Sequence, residues 1–149
     1  MGIEVDHSIN NQIGGKFSDG NLVSNNGQYG ISIVGQNSKN NKIQGNRIGT
    51  DAQGLNAMPN VRTGVLIFNS GNNLIGGDYS THGNLISGNK RHGINIDGEA
   101  GRPIMSTALG GCGFTQNNRI YGNRIGVDIT GNQALPNGCL LYTSPSPRD

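Results

Sequence analysis

Two short patterns of apolar and polar positions alternate along the chain and predict its secondary structure. Glycine followed by apolar–x–apolar occurs four times, beginning at Gly2, Gly30, Gly64 and Gly93. Each copy is followed by two copies of Asn–x–(Ile/Val). Apolar residues at alternate positions are typical of a strand with one buried face. Each unit therefore predicts three very short strands, and successive units begin 28, 34 and 29 residues apart.

The unit length and the corner residues predict a solenoid. Gly and Asn tolerate left-handed backbone and favour tight turns between the strands. Strands of successive coils would stack in parallel at roughly 4.8 Å, and parallel crossovers favour a right-handed coil. We predict an all-β, right-handed, single-stranded parallel β-helix of about four coils, each with three strands. A β-propeller needs longer strands and hairpin turns, and no stretch keeps the 3.6-residue period of an α-solenoid.

A long internal duplication supports this prediction. Residues 45–60 recur at 122–137 with ten of sixteen positions identical, at an offset of 77. Upstream segments match at offsets of 62 and 63, so the second repeat carries an insertion of 14 residues. The insertion falls within residues 100–114, which we predict to be an irregular loop projecting from the stack.

The repeat assigns side chains to columns that run from coil to coil. The predicted inward columns are Ile3, Ile31, Val65, Ile94; Val5, Ile33, Ile67, Ile96; Ile13, Ile43, Ile75, Ile120; and Val23, Ile48, Ile86, Ile125. Two columns of asparagine are predicted to form amide ladders at the corners: Asn11, Asn41, Asn73, Asn118 and Asn21, Asn46, Asn84, Asn123. Asp51–Gly54 and Asp128–Gly131 are predicted turns.

Composition narrows the class of function. Charged residues are 13% of the chain and the formal net charge is +2, which argues against a nucleic-acid partner. No apolar run approaches the roughly 20 residues that span a bilayer, and no signal peptide is visible at the start.

The segments NNLIGG, GNLISGN, GINIDG and NRIYGNRIGVDITGNQALPNG resemble right-handed parallel β-helix repeats of bacterial surface and secreted proteins. More broadly the chain is similar to the pectate-lyase-like superfamily, which includes polysaccharide lyases, glycoside hydrolases, epimerases and non-catalytic adhesin stalks. The resemblance covers residues 2–138. It implies a secreted or cell-surface location and a polysaccharide partner without choosing a reaction.

The last eleven residues, CLLYTSPSPRD at 139–149, depart from the repeat. They resemble translated adapter sequence, and we predict a non-native tail, with a Pro/Ser linker as the alternative. Residues 1–138 are then expected to be a fragment of a longer β-helix with adjoining coils. Expressed alone, they should associate end to end.

Candidate chemistry falls on the outer side of the first strand stack. Its outward columns are Glu4, Ser32, Leu66, Asn95 and Asp6, Val34, Phe68, Asp97. The catalytic candidates are Asp97, Glu99 and Arg102, with His92 just before the strand, because carboxylates, a guanidinium and an imidazole could perform acid–base chemistry on a sugar. A solvated loop with incidental charges is the alternative interpretation.

Ligand and metal candidates are few. Asp6, Phe68 and Asn95 are candidate ligand-binding residues, with Phe68 as a stacking platform for a sugar. Asp51 and Asp128 could bind calcium, but too few oxygen ligands lie nearby for a site of 6–8 ligands, so no metal or other cofactor is predicted. His7, His82 and His92 lack metal-ligand spacing.

The outward cations are Lys42, Arg47, Arg119 and Arg124. They would either keep the module soluble or bind acidic polysaccharide.

Two functions stay open at this point: a non-catalytic stalk or adhesin module, and a polysaccharide-active enzyme with its site on the first strand face and the 100–114 loop. The distance between the candidate carboxylates distinguishes the two functions. A two-carboxylate mechanism requires Asp97 to lie within roughly 10 Å of Glu99 or Asp6.

Overall fold

The computed structural model describes residues 1–98 and 115–138, which are built from twelve β-strands and one 3₁₀ turn at Phe17–Asp19. The predicted insertion loop at 100–114, the tail at 139–149, and the candidates Glu99 and Arg102 lie outside the described residues. The strands are β1 (Ile3–Asp6), β2 (Gln12–Gly14), β3 (Leu22–Val23), β4 (Ile31–Val34), β5 (Lys42–Gln44), β6 (Arg47–Ile48), β7 (Val65–Phe68), β8 (Leu74–Gly76), β9 (Leu85–Ile86), β10 (Ile94–Asp97), β11 (Arg119–Tyr121) and β12 (Arg124–Ile125).

The strands form three parallel sheets of four strands each. The first sheet has the order β1-β4-β7-β10, the second β2-β5-β8-β11 and the third β3-β6-β9-β12. Pairing is in register, so Ile3 lies beside Ile31, Ile31 beside Val65, and Val65 beside Ile94. The predicted parallel β-helix of four coils with three strands per coil is confirmed. Within the described residues, no helix is long and apolar enough to cross a membrane.

The core is a narrow cylinder of β-branched side chains. Ile31, Ile33, Ile43, Ile48 and their counterparts in the third coil are fully buried, which confirms the inward columns. The two ends of these columns differ in how much of each side chain is exposed. In the last coil Ile96, Ile120 and Ile125 are 39%, 40% and 46% exposed, whereas Val5, Ile13 and Val23 in the first coil are 5–7% exposed.

Asparagine ladders hold the corners of the coils. The Asn41 side-chain oxygen accepts hydrogen bonds from the backbone N–H and the amide of Asn11, both at 2.9 Å. Asn41 in turn donates through the same two groups to Asn73 Oδ1, at 3.0 and 3.1 Å. Both predicted ladders are confirmed. Since each amide satisfies a backbone N–H that would be buried without a partner, the ladders supply stabilisation that the thin apolar core cannot.

A third ladder stands at the remaining corner and was not predicted. Its members are Asn26, Asn60, Asn89 and Asn137. Asn26 and Asn60, and likewise Asn89 and Asn137, are joined by the same pair of bonds, whereas Asn60 donates to Asn89 Oδ1 through its side-chain amide at 2.8 Å. These asparagines are not followed by x–(Ile/Val), so the strand pattern does not include them. A positional signal was present: Asn26, Asn60 and Asn89 each stand four residues before the glycine that begins the next unit.

Alternate coils differ in their loops, and this difference explains why the sequence repeats every two coils. Coils one and three carry a loop between their second and third strands, and its aromatic residue lies under an arginine of the next coil. The Arg47 Cζ lies 4.7 Å from the centre of the Phe17 ring, and Arg124 lies at the same distance from Tyr79. Coils two and four instead carry the long turn after the third strand.

The long turns cover part of the outer surface of the third sheet. Leu85 points outward, yet it is 0% exposed. The turn of coil two approaches it at Gly54, where an added Cβ would lie 2.8 Å from both Leu85 and Ile129. Ile129, in the turn of coil four, also lies beside Gly54, and its N–H donates a hydrogen bond to the Gly54 carbonyl at 2.8 Å. The fold therefore has a small second apolar contact outside the cylinder.

The outer surface of the first sheet is less open than the column assignment suggests. Ser32 and Leu66, expected on the outside, are only 1% and 8% exposed. Met1 contributes to this, since its Sδ lies 3.1 Å from Ser32 Oγ. The open part of this face is its carboxyl edge, where the strands end.

Candidate functional site

A shallow groove of about 400 Å³ runs along the carboxyl edge of the first sheet. The last residues of the four strands, Asp6, Val34, Phe68 and Asp97, form one column there. The groove is lined by Asp6, His7, Val34, Gly35, Gln36, Asn37, Phe68 and Asn69. It combines an aromatic ring with amide and carboxylate groups.

The backbone at the strand ends shapes the groove. The residues that follow β1, β4 and β7 of the first sheet all have positive φ: 47° at His7, 94° at Gly35 and 50° at Asn69. This left-handed residue turns the chain away from the strand direction. At Gly35 the positive φ favours glycine, and the His7 ring would have to shift for an added Cβ, which would lie 2.8 Å from it. Three successive coils thus turn at the same level and leave the column Asp6–Val34–Phe68 at the edge.

The Asp6–His7 pair in the groove is a surface contact. His7 Nδ1 lies 2.5 Å from Asp6 Oδ1, and both side chains are more than 60% exposed. Exposed pairs of this kind contribute about 0–1 kcal/mol to stability. His7 is a surface histidine, as its lack of metal-ligand spacing predicted, and its contact with the neighbouring Asp6 was not predicted. The pair has the solvation of a surface contact and not of a sequestered acid–base dyad.

The predicted catalytic residues in the described part of the chain are not brought together. Asp6 and Asp97 stand at opposite ends of the four-strand column, three strand spacings or about 14 Å apart. His92 precedes β10 and Asp97 ends it, so at about 3.3 Å per residue they lie roughly 16 Å apart. The Asp6–Asp97 pair therefore does not meet the roughly 10 Å separation that two-carboxylate chemistry requires.

Asp97 itself is exposed and has local partners. Its Oδ1 accepts a hydrogen bond from the Gly98 N–H at 2.8 Å. Its carbonyl accepts from the Asn69 N–H and from Thr115 Oγ, each at 3.1 Å. Asn95 lies half-buried in the neighbouring column of the same strand. Asp97 is thus fixed at the point where the chain leaves the sheet toward residues 99–114.

The proposed calcium candidates serve as turn residues. Asp51 accepts hydrogen bonds from the Asn56 amide at 2.7 Å and from the Leu55 N–H at 2.9 Å. The Asn56 bond is the main cause that lowers the pKa of Asp51 below its ordinary value. The turn interpretation is confirmed by the Gly54 N–H, which donates to the Asp51 carbonyl at 3.0 Å, and by the positive φ of 73° at Gly54.

The same arrangement recurs at Asp128. Burial tends to raise the pKa of Asp128, but hydrogen bonds from Thr130, from the N–H groups of Gln133 and Asn132, and from Gly131 outweigh it and the pKa is lowered. Within residues 1–98 and 115–138, no group of three or more His, Cys, Asp or Glu side chains could hold a metal ion.

Three of the four outward cations lie over aromatic rings of the chain. Arg47 and Arg124 are half-buried against Phe17 and Tyr79, and within the described residues their Nε atoms are buried without a hydrogen-bond partner. The Arg119 Cζ lies 5.4 Å from the centre of the Tyr121 ring. None of this stacking was predicted. Lys42 and Arg119 are exposed and are the two that a polyanion could reach.

Comparison with protein-family models, with curated proteins and with solved structures finds no match for this chain. The assignment to the parallel β-helix class therefore rests on sheet topology and register alone.

Proposed function

We propose that this chain is a non-catalytic β-helical module of an exported surface protein, acting as a stalk or adhesin segment that binds polysaccharide. The observation that carries the proposal is the spacing of the acidic residues on the first sheet. Asp6 and Asp97 are about 14 Å apart, with Val34 and Phe68 between them in the column. A surface with its charges spread in this way is suited to contacting a ligand, and not to concentrating acid and base on one bond.

The coil stack has the properties of a spacer. Each coil is bonded to the next through three short strands and three asparagines, so the same contacts recur along the axis. Such a solenoid is stabilised by its nearest neighbours and extends by about 4.8 Å per coil. Loops project from the corners without disturbing the ladders. A stalk requires this combination of a stiff axis and variable edges.

The groove at the carboxyl edge of the first sheet is the proposed contact for polysaccharide. The half-buried Phe68 ring offers an apolar face on which the C–H groups of a sugar can pack. Asn37 and Gln36 supply amides, and Asp6 supplies a carboxylate, for hydrogen bonds to hydroxyl groups. A shallow, open groove fits an extended polymer that runs across the coils better than a small enclosed ligand.

A second candidate function is a polysaccharide lyase, hydrolase or epimerase. It is favoured by the position of Asp97, which is exposed at the end of β10, two residues before Glu99 and five before Arg102. In that case Asp97 and Glu99 would be the carboxylate pair, and the site would form between the first strand face and residues 100–114.

A binding assay on a panel of acidic and neutral glycans tests the proposal. We expect the chain to retain at least one polysaccharide, and Phe68→Ala to weaken binding by roughly tenfold or more, as expected for a stacking contact of about 1.4 kcal/mol. Tyr79→Ala is the matched control, because Tyr79 is an exposed aromatic on the loop between the second and third strands of coil three and does not line the groove. Equal losses for both variants, or no retention of any glycan, would overturn the proposal.

A further inference from the structure

A group of basic residues stands at the corner between the third strand of one coil and the first strand of the next. It consists of Arg62, at the end of coil two, and of Lys90, Arg91 and His92, at the end of coil three; we call it the basic corner. Arg62, Lys90 and Arg91 are exposed, and His92 is half-buried. Both coils have a neighbouring coil on each side. None of these residues lines the groove at the carboxyl edge of the first sheet.

Backbone hydrogen bonds between the coils bring these cations side by side. The Arg62 N–H donates to the Gln28 carbonyl at 2.8 Å, and the Arg91 N–H donates to the Arg62 carbonyl at 2.9 Å. Arg62 and Arg91 are therefore neighbours in successive coils, about 4.8 Å apart along the axis. Lys90 precedes Arg91, and its N–H donates to the Asn60 carbonyl at 3.0 Å. Three exposed positive charges thus lie within two successive coils.

No carboxylate at this corner accompanies the three charges. The corner segments of the described coils, at 24–30, 59–64, 87–93 and 134–138, contain no Asp or Glu. Within residues 1–98 and 115–138, none of the three exposed cations forms an ion pair. Asp51, in the long turn that leads to this corner, is bonded within its own turn. Since like charges placed beside each other on neighbouring strands are destabilising, the arrangement costs stability that a bound anion would restore.

Tyr29 restricts the position of one of the two arginines. The Arg62 Cζ lies 5.8 Å from the centre of the half-buried Tyr29 ring, and Arg62 Nη1 donates to the Tyr29 hydroxyl at 3.4 Å. This contact uses one N–H of the guanidinium and leaves its other donors for a ligand. Two neighbouring guanidinium groups are suited to oxyanions, because each can donate two parallel N–H bonds to a carboxylate or to a phosphate-like group such as sulfate.

We propose that the basic corner binds the acidic groups of a polysaccharide, so that the glycan bound by this module carries carboxylate or sulfate groups. The inference rests on the proposed function, because it assigns a chemical class to the glycan and adds a second contact. Six residues separate Arg62 from Phe68, so the basic corner and the groove lie at opposite edges of the first sheet, roughly 20 Å apart. Three cations fall short of the clusters of roughly four to eight that anionic membranes recruit, which favours a polysaccharide over a membrane.

Binding of the full chain to immobilised dextran, dextran sulfate and alginate tests the proposal. Dextran and dextran sulfate share a backbone and differ in charge, and alginate supplies carboxylates. The test variant is Arg62→Gln/Arg91→Gln. Lys42→Gln/Arg119→Gln is the matched control, because it removes the same charge from exposed positions of the second sheet that lie two strand spacings apart, with Leu74 between them. Circular dichroism confirms that each variant is folded.

We expect the parent chain to bind dextran sulfate or alginate at least about tenfold more tightly than dextran, and this binding to weaken as salt rises from about 0.05 to about 0.5 M. The Arg62→Gln/Arg91→Gln variant should lose about tenfold or more of the affinity for the acidic glycan, and the control less than about threefold. Arg62→Lys/Arg91→Lys keeps both charges and loses the planar fork, so it should retain more affinity than the glutamine variant.

Equal losses in the two glutamine variants, or equal affinity of the parent chain for dextran and for both acidic glycans, would overturn the proposal. Binding to phosphatidylserine vesicles without binding to either acidic glycan would overturn it as well and assign the corner to a membrane. Phe68→Ala in the same assay separates this proposal from the groove. Weaker glycan binding in Phe68→Ala with Arg62→Gln/Arg91→Gln unchanged retains the groove and rejects the basic corner, and the converse result retains the basic corner and rejects the groove.

Discussion

Replacing Asn84 by alanine tests whether the asparagine ladders hold the coils together. Asn84 is 1% exposed in the middle of the second ladder. Its side-chain oxygen accepts from the backbone N–H and amide of Asn46 at 2.9 and 3.0 Å. Its amide donates to the Ile43 carbonyl at 2.8 Å and to Asn123 Oδ1 at 2.9 Å. Alanine removes all four bonds and leaves the Asn46 N–H buried with no partner from the ladder.

The expected loss of free energy of unfolding in Asn84→Ala can be worked out from these bonds. A buried N–H left without a partner costs about 1–3 kcal/mol, and the lost amide bonds to the Ile43 carbonyl and to Asn123 Oδ1 cost about 0.5–1.5 kcal/mol each. Together these terms give a loss of about 2–6 kcal/mol. Since a domain is stable by only about 5–15 kcal/mol, this change would be a large part of the total.

Asn21→Ala is the matched control in the same ladder. Asn21 is exposed in the first coil, its backbone N–H stays bonded to Asn46, and only its amide bond at 3.0 Å is lost. We expect a loss of about 0.5–1.5 kcal/mol for this variant. Equilibrium urea unfolding followed by circular dichroism measures both. If the two variants lose the same free energy of unfolding, or Asn84→Ala loses less than about 1 kcal/mol, the ladders do not stabilise the stack as argued.

Three further changes probe the packing and the turns. Leu85→Ala should cost about 2–5 kcal/mol because the side chain is fully buried under the turns, whereas Leu22→Ala, at a half-exposed site, should cost under about 1 kcal/mol in the same urea assay. Gly30→Ala should lower the melting temperature, since its Cβ would lie 2.6 Å from a carbonyl of the next coil, while Gly27→Ala has open space and should not. Because the folded pKa of Asp51 is lowered, its stabilisation is full above its ordinary pKa of 3.8 and is lost as pH falls through the folded value. The difference in melting temperature between the parent chain and Asp51→Asn should therefore shrink as pH falls below about 4, and a difference unchanged down to pH 2 would contradict it.

The strands and their register could be predicted because the pattern is local and repeated. Alternation over three or four residues fixes which side chains point inward, and an offset match between repeats fixes which residues are neighbours. Ile31 beside Val65 follows from both. The first two asparagine ladders could be predicted for the same reason, since Asn41 and Asn46 precede an inward isoleucine at a constant spacing.

Features that depend on contacts between turns could not be predicted in this way. The burial of Leu85 requires knowing that turns from two other coils fold back over the third sheet, and strand alternation alone assigns that residue to the solvent. The stacking of Arg47 on Phe17 joins a strand position to a loop of the preceding coil. In the candidate site, the sequence predicted the column that contains Asp6 and Phe68, but the strand pattern predicts neither the Asp6–His7 contact nor the positive φ of His7.

The most direct test of the account is a turnover assay of the full chain on glycans that it binds, with detection of new reducing ends and of unsaturated products. Asp97→Asn is assayed beside it, since Asp97 is the described residue on which an enzymatic mechanism would depend. The account predicts binding without product formation above that of a heat-denatured sample, for both proteins. Product formation by the parent chain that Asp97→Asn abolishes, with glycan binding retained, would contradict the non-catalytic assignment and establish the enzyme in its place.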